Sequence, residues 1–525
     1  MSALVRTGDY FRGLAGWRAC LAAVLAGAIS ALGFPPFELF PLLLLGFAAL
    51  VLLLDGAGTG QRPVRDAAWL GWAFGFGQFL VGLHWIGFAF LVDASAHEWQ
   101  IPFVAILFPG GLALFIAAAM AFAMRFWQSG AARLFVFTIA YALAEWLRGH
   151  VLTGFPWNIA GYGWGASLGV MQSTALIGVY GLTLLTILFG ASLAELFGEE
   201  PRWSVPGAMA GIFVALFAFG AFRLMGATDQ TIPGVRLRIV QPNIAQADKY
   251  KPELIERNWN RLIALSHAPA KQPPTHIIWP EAAPPFVLTR SPEALDEIAV
   301  LTGNDKVLMT GALRGLRNGN RLRYYNSFYV FGHGGRMLAV YDKFHLVPFG
   351  EYLPFENTMK SLGLTKLVGI EGSFSTGDGP HTIDLPGAPP VGPLICYEIL
   401  FPDEIVAARR PGWIVNVSDD SWFGPWAGPM QHLLIAQTRA IEEGLPIVRA
   451  TNSGISAVID PFGRIRTKLE LDRMGTIDAS LPVRIEPTFY ARVGKYSFWL
   501  LLLLCCTASY FLRRTATARF QKSPI

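Results

Sequence analysis

The chain has 525 residues, 53% of them hydrophobic and only 15% charged, with a mean hydropathy of +0.41 and a formal net charge of +5. A soluble domain carries about 25% charged residues, so a wholly soluble protein is excluded. The small positive charge rests largely on membrane-proximal arginines and asks for no nucleic-acid partner.

Residues 1–230 and 496–512 are nearly free of Lys and Asp, whereas 235–490 has ordinary charge and alternating patterns. The expected organisation is a transmembrane bundle over 1–230, a soluble-type domain over 231–490, and a last span with a tail over 491–525. A hydrocarbon core about 30 Å thick needs about 20 apolar residues at about 1.5 Å rise each. Stretches of that order occur at about 14–33, 38–54, 67–92, 102–124, 132–149, 170–197, 206–225 and 496–512, which makes about eight spans, seven of them before the domain. The first has basic residues and then Ala and Gly, as a signal peptide would, but seven further spans make it an anchor. Arg6, Arg12, Arg62, Arg65, Arg125, Arg133 and Arg202 fall on one set of loops, joined by Arg513, Arg514, Arg519 and Lys522 after the last span. The opposite loops hold Arg148 and little else, with Arg223 a minor exception. Both termini are therefore expected in the cytoplasm and the domain on the outer face.

Within that domain, residues 235–240 alternate apolar and basic side chains and read as a strand that Gln241-Pro242-Asn243 stops. Residues 252–266 carry Leu254, Trp259, Leu262 and Ile263 at helical spacing. Short strands follow at 276–279 and 307–310, with a helix over 292–302 between them. Strands at 326–331 and 337–341 form a hairpin turning at His333-Gly334-Gly335. Then come a strand at 393–395, a helix at 403–409, a strand at 413–417, a helix at 428–443, and strands at 447–450 and 455–459. Strands alternating with helices indicate a layered α/β domain. There is no internal repeat and no low-complexity tract.

Three segments end an apolar strand with a reactive side chain: Trp279-Pro280-Glu281, Tyr341-Asp342-Lys343, and Leu394-Ile395-Cys396 followed by Tyr397-Glu398. Strand ends at one rim of a sheet are where α/β folds place sites. Cys396 is the single cysteine of the domain, since Cys20, Cys505 and Cys506 lie in the apolar stretches. A thiol with a pKa near 8.5 is only a few per cent ionised at about pH 7, so an adjacent carboxylate is needed to take its proton, the role of Glu281. Lys343 would lower the thiol pKa and stabilise the oxyanion formed at an attacked carbonyl, with the backbone N–H of Tyr397 as a second donor. Glu351 would orient Lys343 and keep it charged, and Glu398 is close enough to shape the pocket. Taken singly, each has an ordinary reading: a turn carboxylate, a solvent-facing lysine, a buried cysteine. Their order along the chain is what assembles them into a site. The nine histidines show no ligand spacing, so neither a metal nor another cofactor is expected, and His345 reads as structural.

The ordered set Glu281, Lys343, Cys396 resembles the Glu-Lys-Cys triad of the nitrilase (carbon–nitrogen hydrolase) superfamily. Gln241-Pro242-Asn243, Trp279-Pro280-Glu281, Tyr341-Asp342-Lys343, Leu346-Val347-Pro348-Phe349-Gly350-Glu351, Cys396-Tyr397-Glu398 and Ser421-Trp422-Phe423-Gly424 look like the apolipoprotein N-acyltransferase family, as does the arrangement of spans around the domain. The resemblance implies an αββα sandwich carried on a multi-pass helical bundle in the bacterial inner membrane, with the catalytic domain periplasmic. It implies ping-pong acyl transfer through a Cys396 thioester, from a phospholipid such as phosphatidylethanolamine to the N-terminal amine of a diacylglyceryl-cysteine. Glu351, Tyr397, Glu398, Trp422 and Phe423 match motif positions that the family uses at its site. Two positions depart from the pattern: Asp419 stands where Asn is more frequent, and Tyr250 where Trp is common.

The alternative is a membrane-tethered amidase or nitrilase, which would pass the same acyl-enzyme to water; a transporter with an inactive domain is a third reading, poorly served by spans with few ionisable residues. Residues 349–375, with Phe349, Tyr352, Leu353, Phe355, Leu362, Leu364, Leu367 and Val368, read equally as a lipid-dipping lid and as packing on the domain. Residues 151–169, with Phe155, Trp157, Tyr162 and Trp164, read as packing between spans or as an interfacial aromatic shelf.

Overall fold

The computed structural model describes residues 3–318, 321–361 and 373–520. It divides into two compact units, one formed by Met1–Gly87, Trp99–Gly226 and Thr488–Ile525, the other by Phe88–Glu98 and Ala227–Pro487.

The first unit is helical. Among the described residues, six helices are long and apolar enough to cross a membrane: Gly16–Gly33, Phe40–Gly58, Ala94–Met124, Thr174–Phe197, Ser204–Met225 and Tyr496–Arg514. The stretch expected at 67–92 is broken into Pro63–Gly82 and His84–Leu91, bent by 51°. The bend falls where the Gly82 carbonyl accepts from Asn158 Nδ2 at 3.1 Å, and only if this pair counts as one span does the number reach seven. The remaining expected span, 132–149, is the helix Ala132–His150, which carries Arg133, Glu145 and Arg148. These charges set it apart from the six, and all three are buried. Arg133 pairs with Asp55 at 2.8 Å and with Glu195, and Arg148 pairs with Glu145 at 3.1 Å. Small residues let the helices close: a Cβ on Gly27 would fall 2.0 Å from the Phe74 carbonyl oxygen, and one on Gly77 2.1 Å from that of Val24. The 151–169 loop is interior packing here. Trp157, Tyr162 and Trp164 are buried, and Trp164 stacks on Phe40 and Phe213 with its indole N–H donating to Thr186.

The second unit is an αββα sandwich. Its twelve strands are β1 Thr231–Gln241, β2 His276–Trp279, β3 Val307–Asn318, β4 Arg321–Phe331, β5 Met337–Asp342, β6 Ile383–Leu385, β7 Ala388–Ile395, β8 Trp413–Ser418, β9 Ile447–Thr451, β10 Ser456–Ile459, β11 Ile465–Leu469 and β12 Gly475–Pro482. They form two six-stranded sheets, ordered β12-β1-β2-β3-β4-β5 and β11-β10-β9-β8-β7-β6. The central strands β1, β2 and β3 run parallel, as do β7, β8 and β9. Side-chain alternation along each strand decides which layer a residue joins. In β2, Ile278 enters the core between the sheets together with Ile239, Met309, Phe328, Val415 and Val448. Its neighbours Ile277 and Trp279 point the other way, into a second core with Trp259 and Leu262 of helix Ile255–Ser266 and Ile298 and Leu301 of helix Pro292–Thr302. Helix Ala427–Glu443 packs on β9 and ends at Gly444, whose φ of 66° suits a residue without Cβ.

Several elements differ from the reading of the sequence. The helix expected at 403–409 is absent; Pro402 and a φ of 67° at Asp403 break the chain into turns there. The β3–β4 hairpin runs well past the expected strand ends, and β11 and β12 were not anticipated. In the 349–375 stretch Leu353 is buried while Phe349 and Phe355 are exposed; Leu362, Leu364, Leu367 and Val368 lie outside the described residues.

Candidate active site

Three strand ends of the sandwich deliver the three reactive side chains. β2 stops at Pro280, which has no N–H for the ladder, and the chain turns so tightly that a Cβ on Gly311 of β3 would meet Glu281 Cα at 2.6 Å. Lys343 follows β5, its N–H donating to the Asn326 carbonyl at 2.9 Å. Cys396 follows β7 at a φ of +50° and opens the short 3-10 turn Cys396–Leu400. A non-glycine residue in that region stores about 1–3 kcal/mol of strain and is held there by its surroundings.

The structure brings Glu281, Lys343 and Glu351 into one hydrogen-bonded cluster. Lys343 Nζ donates to Glu351 Oε1 at 3.1 Å and lies 3.6 Å from Glu281 Oε1. Asn326 Nδ2, on β4, donates to both carboxylates, at 2.7 Å to Glu281 and 2.9 Å to Glu351. The second oxygen of Glu281 accepts the Asp419 N–H at 2.8 Å, and that of Glu351 accepts the Val347 N–H at 2.8 Å. Glu281, Lys343, Glu351, Cys396, Tyr397 and Glu398 are all buried.

Glu398 ties the Cys396 turn to the Lys343 segment. Its Oε2 accepts the Ile395 N–H at 2.7 Å, while Oε1 accepts the Phe344 N–H at 2.7 Å and the Tyr341 hydroxyl at 2.9 Å. Tyr397 packs edge-on against Phe401, on which the His345 ring stacks at 3.6 Å. Phe423 meets the His432 ring edge-on at 5.7 Å and packs on the core between the sheets. Trp422 is half-buried in the turn Asp420–Phe423.

The electrostatics bear on each of the expected roles. Burial, then the Glu281 carboxylate, pushes the Cys396 thiol well above its ordinary range; Lys343 and a hydrogen bond with Ser418 oppose this without overcoming it. Lys343 thus lowers the thiol without bringing it below its ordinary range. Burial also raises Glu281, against the pull of Lys343 and with help from Glu351 and Asp419. Burial works against the charge of Lys343, yet Glu351 and Glu281 outweigh it and hold the ammonium protonated.

Three polar residues beside the cluster were missed by sequence reasoning. Asn326 sits mid-strand in Tyr325-Asn326-Ser327, where one buried amide among aromatics was the available signal. Lys249 is the first lysine in the chain, and its Nζ donates to Asp419 Oδ2 at 2.6 Å. Asp420 accepts from Ser418 at 2.6 Å and His432 at 3.0 Å and is paired with Arg449. Among the described residues, no three or more His, Cys, Asp or Glu side chains are disposed to hold a metal ion.

Two family models match the chain, an apolipoprotein N-acyltransferase N-terminal domain over residues 26–192 and a carbon-nitrogen hydrolase over residues 236–488. A Rhodopseudomonas palustris protein described as an apolipoprotein N-acyltransferase is 45% identical over 495 residues, which span 91% of this chain and 92% of that one. The chain belongs to the apolipoprotein N-acyltransferase family. Apolipoprotein N-acyltransferases of Bradyrhizobium diazoefficiens, 45% identical over 494 residues, and Brucella melitensis, 41% identical over 523 residues, match it over 91% and 97% of its length and 92% and 98% of theirs. As a member of the apolipoprotein N-acyltransferase family it is a bacterial membrane acyltransferase, and the amidase reading is not favoured.

Proposed function

We propose that the chain moves an acyl group from a phospholipid, phosphatidylethanolamine being the expected donor, through a Cys396 thioester to the α-amine of a diacylglyceryl-cysteine at the N-terminus of an apolipoprotein. What supports this reading is geometric: a buried Cys396 at the strand end after β7, and Lys343 Nζ 3.6 Å from Glu281 Oε1 and 3.1 Å from Glu351 Oε1 at the neighbouring strand ends. In the first half, Glu281 takes the Sγ proton as sulfur bonds to the ester carbonyl carbon. Lys343, with the Tyr397 N–H, stabilises the oxyanion. The ester C–O bond then breaks, and the proton passes from Glu281 to the departing lysophospholipid oxygen. In the second half the amine nitrogen bonds to the thioester carbon, Glu281 takes the amine proton, the C–S bond breaks, and the proton returns to sulfur. Glu351 holds the lysine, Glu398 holds the turn, and Tyr397, Trp422 and Phe423 supply pocket wall. The domain over 231–490 is the catalytic portion. The arginine distribution supports an inner-membrane setting with that domain periplasmic and both termini cytoplasmic.

Incubation of the purified protein with phospholipid should add one acyl mass to Cys396, removable by neutral hydroxylamine and transferred on addition of a diacylated lipopeptide. Cys396→Ala should show neither adduct nor transfer. Transfer by the Cys396→Ala protein, or an unmodified wild type, would sink the thioester route; release of free fatty acid without amine transfer would favour hydrolysis.

A further inference from the structure

Glu281 is gripped from two sides, and only one of them contains the triad. On the far side, Lys249 follows the 3-10 turn Gln246–Asp248, where Asn258 Nδ2 of helix Ile255–Ser266 donates to the carbonyls of Asp248 and Lys249 at 3.1 and 3.4 Å. The Lys249 side chain is 2% exposed. Its Nζ donates to Asp419 Oδ2 at 2.6 Å and to the Glu281 carbonyl at 3.3 Å. Asp419 in turn donates its backbone N–H to Glu281 Oε2 at 2.8 Å, and its own Oδ1 accepts Asn452 Nδ2 at 3.0 Å. The extra charge that Asp419 brings to the site is thus met by a dedicated buried cation.

We propose that Lys249 and Asp419 form a positioning pair that fixes Glu281 through its carbonyl and carboxylate and balances the charge around it. This rests on Glu281 being the base. The pair fixes the base mechanically through the two backbone contacts, the Glu281 carbonyl and the Asp419 N–H. It acts electrically because Asp419 by itself would disfavour the Glu281 carboxylate and Lys249 by itself would favour it. The charged and titratable groups facing Glu281 are Lys343, Glu351 and Cys396 on the triad side and Lys249 and Asp419 on this one, with Tyr250 adjoining Lys249. Among the described residues, the side-chain and backbone contacts of the pair reach Glu281 and none reaches Cys396, so both are assigned to act through Glu281.

The test is the pH dependence of Cys396 acylation by phosphatidylethanolamine vesicles, read by intact mass on the full-length protein. Lys249→Gln should move the acid limb to higher pH by about one unit, because an uncompensated Asp419 repels the ionised base. Asp419→Asn keeps the backbone N–H and should move the limb the other way, to lower pH, by a similar amount. The double variant K249Q/D419N should return the limb toward its original position, and Lys249→Arg should hold it there even if the rate falls. Limbs that stay put in both single variants, or that move in the same direction, overturn the pair. Failure of the wild type to form the adduct would instead overturn the Cys396 thioester route on which the role of Glu281 rests, and the pair with it.

Discussion

In the helical unit the buried ions close on one another and on backbone carbonyls; in the sheet domain one cluster of them gathers around Glu281. Arg148 donates to Glu145 at 3.1 Å, to the Phe155 carbonyl at 2.5 Å and to the Trp157 carbonyl at 2.9 Å, so one arginine satisfies one glutamate and pins the following loop. Arg133 likewise lies between Asp55 and Glu195. The cluster around Glu281 is not balanced. Glu281, Glu351 and Asp419 face Lys343 and Lys249, three carboxylates to two ammoniums. A matched buried pair has nothing left to exchange, whereas an odd carboxylate is a place where a proton can be taken up. Burial alone therefore does not mark chemistry; burial with an unmatched count does.

The comparison breaks most easily at Glu281. Glu281→Gln keeps the shape but removes the carboxylate proposed as the base, and acylation of Cys396 should fall by about 10²–10⁴-fold with the thermal midpoint retained. A near-normal rate would mean that the unmatched carboxylate is idle. The next largest effect lies in the bundle. Glu145→Gln leaves Arg148 buried without its counter-charge and should cost about 3–5 kcal/mol of stability, measured by thermal unfolding in detergent, with acylation per folded molecule unchanged. A lost rate at full stability would give the helical pair a chemical role and erase the distinction.

The smallest effect concerns Glu398. Burial pushes it up to about 7, against its bonds from Ile395, Phe344 and Tyr341 and the charge of Lys343. Its folded value lies above the unfolded one, so its contribution is complete below about 4.3 and is lost as the pH rises through 7. The thermal midpoint of the wild type should fall across that window more steeply than that of Glu398→Gln, the sign expected of a buried acid whose folded value is raised. Equal slopes would show that Glu398 stays ionised throughout and belongs with the matched ions.

What could be read from the sequence follows from how local each signal is. Trp279-Pro280-Glu281 and Ile395-Cys396-Tyr397 announce themselves because an apolar strand ends abruptly in a reactive side chain. Asn326 does not, because its importance lies in reaching two carboxylates contributed by other segments. Lys249 looks like any loop lysine until Asp419, distant in sequence, comes to meet it. The helix expected at 403–409 rested on composition and failed at Pro402 and Asp403, where backbone geometry overrides pattern. β12 went unseen because Gly475–Pro482 has little alternation, its burial depending on pairing with β1. The eight apolar stretches were easy to count, but the charges on Ala132–His150 make physical sense only once their partners are seen.

That β1–β12 pairing has a consequence for how the domain comes into being. The register sets Leu237 opposite Ala479 and Ile239 opposite Ile477, so one of the earliest strands to leave the ribosome is covered by the last. Until β12 arrives, β1 offers an open edge to any passing strand. Closure of this sheet is a late, long-range event, of the kind that slows folding. A truncation shortly before residue 475 would leave the triad residues all present in a sandwich with an unsealed seam, prone to aggregate before it could acylate anything.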